Sequence, residues 1–155
     1  MRILVVDDSI MMRRVISQEF EGPDYEVFQA VDGREALEKI KLTKPDLITL
    51  DVDMPVMDGF ETAKNIYDNP DLYKSSTGEK IPIIFITAND TIDGRSKGFA
   101  VGAAEFITKP FLTGEVASIA NALIKPDIIT HISWIKFKGI YFQVIVIDDG
   151  LLITW

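Results

Sequence analysis

Leu47-Ile-Thr-Leu-Asp51-Val-Asp53-Met-Pro55-Val-Met-Asp58-Gly59 is the stretch around which the chain is organised. A continuous apolar run stops abruptly at Asp51, and Pro55 with the Asp58-Gly59 pair marks a turn beyond it. This is the pattern of a buried strand that delivers one carboxylate to a loop. The carboxyl end of a parallel strand is where open α/β sheets place their ligand chemistry, and a carboxylate can accept a transferred group covalently. Asp51 is therefore the first candidate functional residue.

The same reading extends outward in both directions. Ile3 to Val6 is a short apolar strand closed by Asp7-Asp8 and a helix-starting Ser9. Met12, Val15, Ile16 and Phe20 then recur at helical spacing up to Gly22-Pro23. Tyr25 to Ala30 reads as a second strand, and Asp32-Gly-Arg-Glu35 as a capping box opening a helix with Ala36, Leu37 and Ile40 inward. Leu47 to Leu50 is the third strand. Past Gly59 a third helix carries Phe60, Ala63, Ile66 and Tyr67, followed by a polar surface loop, Asp68 to Lys80, longer than the usual connection. Ile83 to Ile86 forms a fourth strand ending at Thr87. A fourth helix near Arg95 to Val101 is weakened by Gly94 and Gly98. Glu105 to Thr108 is a fifth strand stopped by Lys109-Pro110, and Leu112, Val116, Ile119, Ala120 and Leu123 share one face of a last helix, up to Lys125-Pro126.

Five strand-helix alternations in about 125 residues argue a doubly wound α/β domain with a parallel sheet, since parallel neighbours require crossover connections. The domain expected at residues 1–125 is followed by an extension, 126–155. That extension is rich in Ile, Phe, Tyr, Trp and Val, with turn signals at Lys138-Gly139 and Asp149-Gly150. A small β meander is expected there, of unknown role and too apolar to hang free, or else part of a larger chain.

Composition narrows the function. The chain has 155 residues, a net charge of −8, 47% hydrophobic residues and no cysteine. The negative charge disfavours direct nucleic-acid binding. The absence of cysteine removes disulfides and thiolate metal sites, and fits a reducing compartment. No apolar run approaches the roughly 20 residues of a membrane helix, and Met1-Arg2 leads into a strand without a signal-peptide pattern. A cytoplasmic protein with no membrane partner is the expectation.

In a parallel sheet, all the strand ends just named point to one edge. Asp7 and Asp8 follow the first strand, Asp51 and Asp53 the third, Thr87 the fourth and Lys109 the fifth, so these groups should converge on one cleft. Clustered carboxylates repel and require a cation, and Mg²⁺, with Mn²⁺ as a substitute, suits hard oxygen ligands. Lys109 would take an oxygen of an incoming phosphoryl group, Thr87 would donate a hydrogen bond to another, and small Ala88 leaves room for its backbone N–H to approach. An Asp-Asp pair after a strand is ordinarily a solvated turn, and Asp148-Asp149 repeats it with no partner residues behind it. The significance lies in the ordered set.

Val5-Val6-Asp7-Asp8-Ser9, Leu50-Asp51-Val52-Asp53-Met54-Pro55 with Asp58-Gly59, Ile86-Thr87-Ala88 and Lys109-Pro110-Phe111 together resemble the receiver domain of bacterial two-component response regulators, with the single-domain chemotaxis regulator as the nearest type. The resemblance covers residues 1 to about 125. It implies a flavodoxin-like sheet in order 2-1-3-4-5 and a cis Lys109-Pro110 peptide. It further implies phosphorylation of Asp51 by a sensor histidine kinase, and Mg²⁺ held by Asp8, Asp51 and the backbone carbonyl of Asp53, with Asp7 in support. Backbone groups of Val52 and Ala88 would meet the phosphate. Thr87 and Phe106 would form a switch that remodels the face of the fourth helix, fifth strand and fifth helix, used for an effector or a homodimer. Positions 53 and 89 would tune phosphoryl lifetime. Two rivals stand beside this reading: a haloacid-dehalogenase-type phosphatase, from Asp51-Val-Asp53, and a phosphorylation-inert receiver-like binding module.

Overall fold

The computed structural model describes residues 1–124, 129–137, 140–147 and 150–154, the last three segments by their backbone only. The first 124 residues and the remainder form two separate compact units. In the first, β1 (Arg2–Val6), α1 (Ile10–Gln18), β2 (Glu26–Ala30), α2 (Gly33–Thr43), β3 (Leu47–Leu50), α3 (Gly59–Asp68), β4 (Ile83–Thr87), α4 (Ile92–Ala100), β5 (Glu105–Thr108) and α5 (Glu115–Ile124) alternate along the chain. The five strands are parallel, in the order β2-β1-β3-β4-β5 that the resemblance implied.

Strand residues alternate between two cores because successive side chains leave a strand on opposite faces. Leu4, Val6, Ile48, Leu50, Ile83 and Phe85 pack with Ala36, Leu37 and Ile40 of α2 and Ala63 and Ile66 of α3. Ile3, Val5, Leu47, Ile84, Ile86 and Ile107 pack with Ile16 and Phe20 and with Val116 and Ala120 of α5. The interior strands are apolar on both faces because both are covered. Thr49, in the middle of β3, departs from this pattern: it is fully buried and its hydroxyl has no hydrogen-bond partner. Replacing an unpaired buried hydroxyl by a methyl of the same shape removes a desolvation cost, so Thr49→Val should stabilise the domain by about 1 kcal/mol in denaturant titrations. An unchanged or lower midpoint would show that the hydroxyl is satisfied in solution.

The capping signals act locally as read. Asp32 accepts from Glu35 N at 2.9 Å, while the Glu35 carboxylate reaches back to Val31 N at 2.8 Å. Four expectations are corrected. First, α4 begins at Ile92, three residues earlier than its sparse apolar pattern indicated, because Thr91 caps it by accepting from Gly94 N. Second, Val15 is 41% exposed although it recurs with Ile16, since α1 buries only a narrow stripe. Third, Leu112 lies before α5 and is 78% exposed. Fourth, the long loop after α3 is no simple surface excursion. Tyr73 is buried in the α2/α3 core, and Ser75 is buried in a turn that accepts from Gly78 N.

In the second unit β6 (Ile129–Phe137), β7 (Ile140–Ile147) and β8 (Gly150–Thr154) form a three-stranded antiparallel sheet in sequence order. The Lys138-Gly139 turn signal, the Asp148-Asp149 pair and Lys125-Pro126 lie outside the described residues. Among the described residues no helix is long and apolar enough to cross a membrane.

Candidate functional site

The ladders of the sheet run one residue past the strands, and this fixes where the charged side chains start. Asp51 N donates to Val6 O at 2.9 Å, Asp7 N to Ala30 O at 3.2 Å and Lys109 N to Thr87 O at 2.8 Å. Asp7, Asp51 and Lys109 thus stand on clamped backbone at the carboxyl edge, at the ends of β1, β3 and β5. The loop after β3 is drawn in tightly by Gly59, whose N–H donates to Val52 O at 2.9 Å. A Cβ there would lie 2.3 Å from the Asp51 carbonyl oxygen, so only glycine lets α3 start this close to the acceptor strand.

The side chains converge as the topology requires. One oxygen from each of Asp7, Asp8 and Asp51 lies within 4.8 Å of the others. Asp7 and Asp51 are buried, whereas Asp8 is exposed. Lys109 Nζ donates to Asp7 Oδ2 at 2.8 Å and lies 3.3 Å from Asp51 Oδ1. Both oxygens of Asp7 are engaged, since the other accepts from Ser9 N at 2.8 Å. Arg13 Nη1 donates to the carbonyl oxygens of Asp7 and Asp8, at 2.8 and 3.2 Å, and so pins the loop that carries them.

One ammonium does not neutralise three clustered carboxylates. Burial, then the charge of Asp7, push the Asp51 carboxyl up from 3.8 to about 6, against the opposite pull of Lys109. Burial works to lower the Lys109 ammonium, but the hydrogen bond to Asp7 and the charge of Asp51 outweigh it and raise it. An all-oxygen, under-neutralised cluster of this kind matches the donor chemistry of a hard divalent cation.

Around this centre the other anticipated residues are distributed unevenly. Thr87 is buried at the end of β4, its hydroxyl accepting from Asn89 N at 3.1 Å. Asn89 Nδ2 donates to Asp53 Oδ2 at 2.7 Å, joining the loops after β3 and β4. The Asp53 carboxylate is thereby committed outside the three-carboxylate cluster. Ala88 is exposed and Val52 half-buried. Phe106 is 7% exposed, its ring centroid 5.0 Å from that of Phe85 and 5.4 Å from that of Phe99. Lys109-Pro110 is cis. Sequence reasoning missed one group altogether. Asp90, after β4, accepts from Arg95 of α4 and from the Thr108 hydroxyl of β5, and no spacing rule links those three positions.

A parallel 2-1-3-4-5 sheet with an acidic pocket and a lysine at its carboxyl edge defines a receiver domain of the chemotaxis-regulator type. Comparison with known proteins agrees: a family model described as the response regulator receiver domain matches residues 3–121. The chain belongs to that family, whose receiver domains are generally phosphoacceptors of two-component phosphorelay signalling. The chain is similar to the chemotaxis regulator CheY4 of Vibrio cholerae, with 35% identity and a TM-score of 0.67 over 79% of this chain and 97% of that one. It is also similar to the receiver domain of the sensor histidine kinase PA1611 from Pseudomonas aeruginosa, whose structure has a magnesium ion coordinated in its active-site cleft. Here identity is 28% and the TM-score 0.67, over 79% and 96% of the two chains. Among curated proteins, the response regulator MprA of Mycolicibacterium vanbaalenii is 37% identical over 124 residues, 80% of this chain and 50% of the relative. The chain spans about half the length of the curated relatives it matches. The phosphatase and inert-module alternatives gain no support from these comparisons.

Proposed function

We propose that Asp51 is the phosphoryl acceptor of a two-component relay, and that its modification switches a protein-interaction face of this domain. The observation that carries the reading is the Asp51 carboxylate at the end of β3, beside the Asp7 and Asp8 carboxylates and 3.3 Å from Lys109 Nζ. An Asp51 oxygen attacks the phosphorus of a kinase phosphohistidine. The new P–O bond forms as the P–N bond breaks, and the departing imidazole takes up a proton. Water later cleaves the acyl phosphate and regenerates Asp51, so turnover is confined to the domain's own modification.

Asp8, Asp51 and the Asp53 carbonyl, with Asp7 in support, would hold Mg²⁺, or Mn²⁺ in its place. These residues would gain from such an ion the charge neutralisation that the acceptor and the incoming oxygens need. Support comes from the oxygen-only donor set and from the magnesium in the PA1611 receiver. Lys109 pairs with a phosphoryl oxygen, the Thr87 hydroxyl and the backbone N–H groups of Val52 and Ala88 meet the others, and Asn89 with Asp53 borders the path of attacking water. Movement of Thr87 toward the phosphoryl group is coupled to the Phe106 ring and to the α4-β5-α5 face, where an effector or a second copy binds.

Incubation with acetyl phosphate and Mg²⁺ tests this directly. The intact mass of the wild type should rise by one phosphoryl group, and Asp51→Asn should stay unmodified. An unmodified wild type would restore the inert-module reading, and sustained turnover of an aryl phosphate the phosphatase reading.

A further inference from the structure

Gly98 sits in the interior of α4, where glycine weakens a helix. Its position explains its presence. A Cβ on Gly98 would lie 2.2 Å from Phe106 Cε2 and 2.3 Å from Phe106 Cζ, closer than any side chain tolerates. The absent methyl is therefore the slot that receives the edge of the Phe106 ring, with Phe85 and Phe99 on its other sides. A helix with alanine at this position could not lie where α4 lies while the ring stays buried.

A polar clasp closes over the same ring. The Arg95 guanidinium carbon is 5.8 Å from the centroid of Phe106, within range of a cation–π contact. That guanidinium is held by both oxygens of Asp90, with Nη2 to Oδ2 at 2.8 Å. The Oδ2 atom also accepts from the Thr108 hydroxyl at 2.7 Å. Three elements, the loop after β4, α4 and β5, are thus joined across the mouth of the slot. An isolated surface ion pair contributes little, but this one is bidentate, shared with a third group and within cation–π range of the Phe106 ring.

We propose that Gly98 and the Asp90–Arg95–Thr108 clasp are positioning residues for Phe106, which set the population of the buried-ring arrangement and through it the apparent affinity of the acceptor pocket for a phosphoryl group. This rests on the reading that Thr87 and Phe106 couple the pocket to the α4-β5-α5 face. Linkage supplies the mechanism: a ligand that favours one arrangement binds with an affinity reduced by the fraction of molecules not in it. Gly98 favours the buried ring by leaving space, and the clasp favours it by covering the ring.

The probe is beryllofluoride with Mg²⁺, a phosphoryl mimic, titrated into the full chain. A 19F label on Phe106, introduced as 4-fluorophenylalanine, reports ring burial. Gly98→Ala should weaken binding at least about tenfold and move the 19F signal toward that of an exposed ring. Arg95→Gln and Thr108→Val should weaken it several-fold, and Thr108→Ser, which keeps the hydroxyl, should restore it. In a Phe106→Ala background, Gly98→Ala should have no further effect on binding, since the clash is gone. If Gly98→Ala fails to fold, the surface variant Arg95→Gln carries the test. Wild-type binding with unchanged affinity in Arg95→Gln and Thr108→Val, or in a folded Gly98→Ala, overturns the inference alone. No binding by the wild type refutes the acceptor reading, and this inference with it.

Discussion

Asp51→Asn is expected to make the metal-free protein more stable by about 2–3 kcal/mol at about pH 8, while abolishing phosphorylation. The carboxyl of Asp51 is raised from 3.8 to about 6, chiefly by burial and then by the charge of Asp7. A carboxyl raised by folding is bound to its proton more tightly in the native than in the unfolded state. Its favourable contribution is complete below 3.8 and is lost as the pH rises through about 6, where the native state must carry the charge. Asparagine has the same shape and never ionises. Denaturant midpoints measured in chelator should therefore nearly coincide for the two proteins below about pH 4, diverge in favour of the variant as the pH rises from about 4 to about 6, and keep a constant gap above that. Added Mg²⁺ should narrow the gap by stabilising only the wild type to a large extent. Parallel pH profiles in chelator would show that Asp51 is not held in an unfavourable charged state, and would remove the electrostatic basis for a cation at this site.

Lys109→Ala has the opposite signature. Lys109 is the cation placed between Asp7 and Asp51, with its side chain 16% exposed. Removing one partner of a buried ion pair leaves uncompensated charge, so the metal-free variant should lose roughly 3 kcal/mol, much of it recovered in Mg²⁺. Mg²⁺ affinity should persist or increase, because the three carboxylates remain and a competing cation is gone. Labelling by acetyl phosphate should fall by about 10²-fold, the usual cost of deleting one group that meets charge developing in the transition state. Fluorescence titration with Mg²⁺ beside quantitative intact-mass kinetics separates the two effects. Lost metal affinity with retained labelling would contradict the role given to Lys109.

Both expectations follow from the crowding of carboxylates at this site. Asp7, Asp8 and Asp51 raise the free energy of the empty pocket, and the same crowding of oxygen donors is what a divalent cation and a phosphoryl group with its counter-ion relieve. The stability of the fold is supplied elsewhere, by the two apolar layers that pack against opposite faces of the sheet.

Strand positions, and the residues that end each strand, were legible in the chain because they depend on local pattern. An apolar run buried on both faces must stop where polar groups begin, so Asp7, Asp51, Thr87 and Lys109 could be named as strand-end residues, and parallel topology alone sends them to one edge. The N-caps at Asp32 and Ser9 are equally local, each satisfied within three residues. Periodicity failed where burial depends on distant partners. Tyr73 is core because the loop after α3 folds back on α2, and Leu112 is exposed because α5 starts only after it. The raised carboxyl of Asp51 is a sum over Asp7, Lys109 and their shared burial, and the clasp on Phe106 joins residues 90, 95 and 108. Sequence by itself determined which residues end the strands and so which chemistry could meet. Only the tertiary structure decided how close they come, what shields them and what each pays in desolvation, because those energies depend on distances between segments that spacing along a chain does not encode.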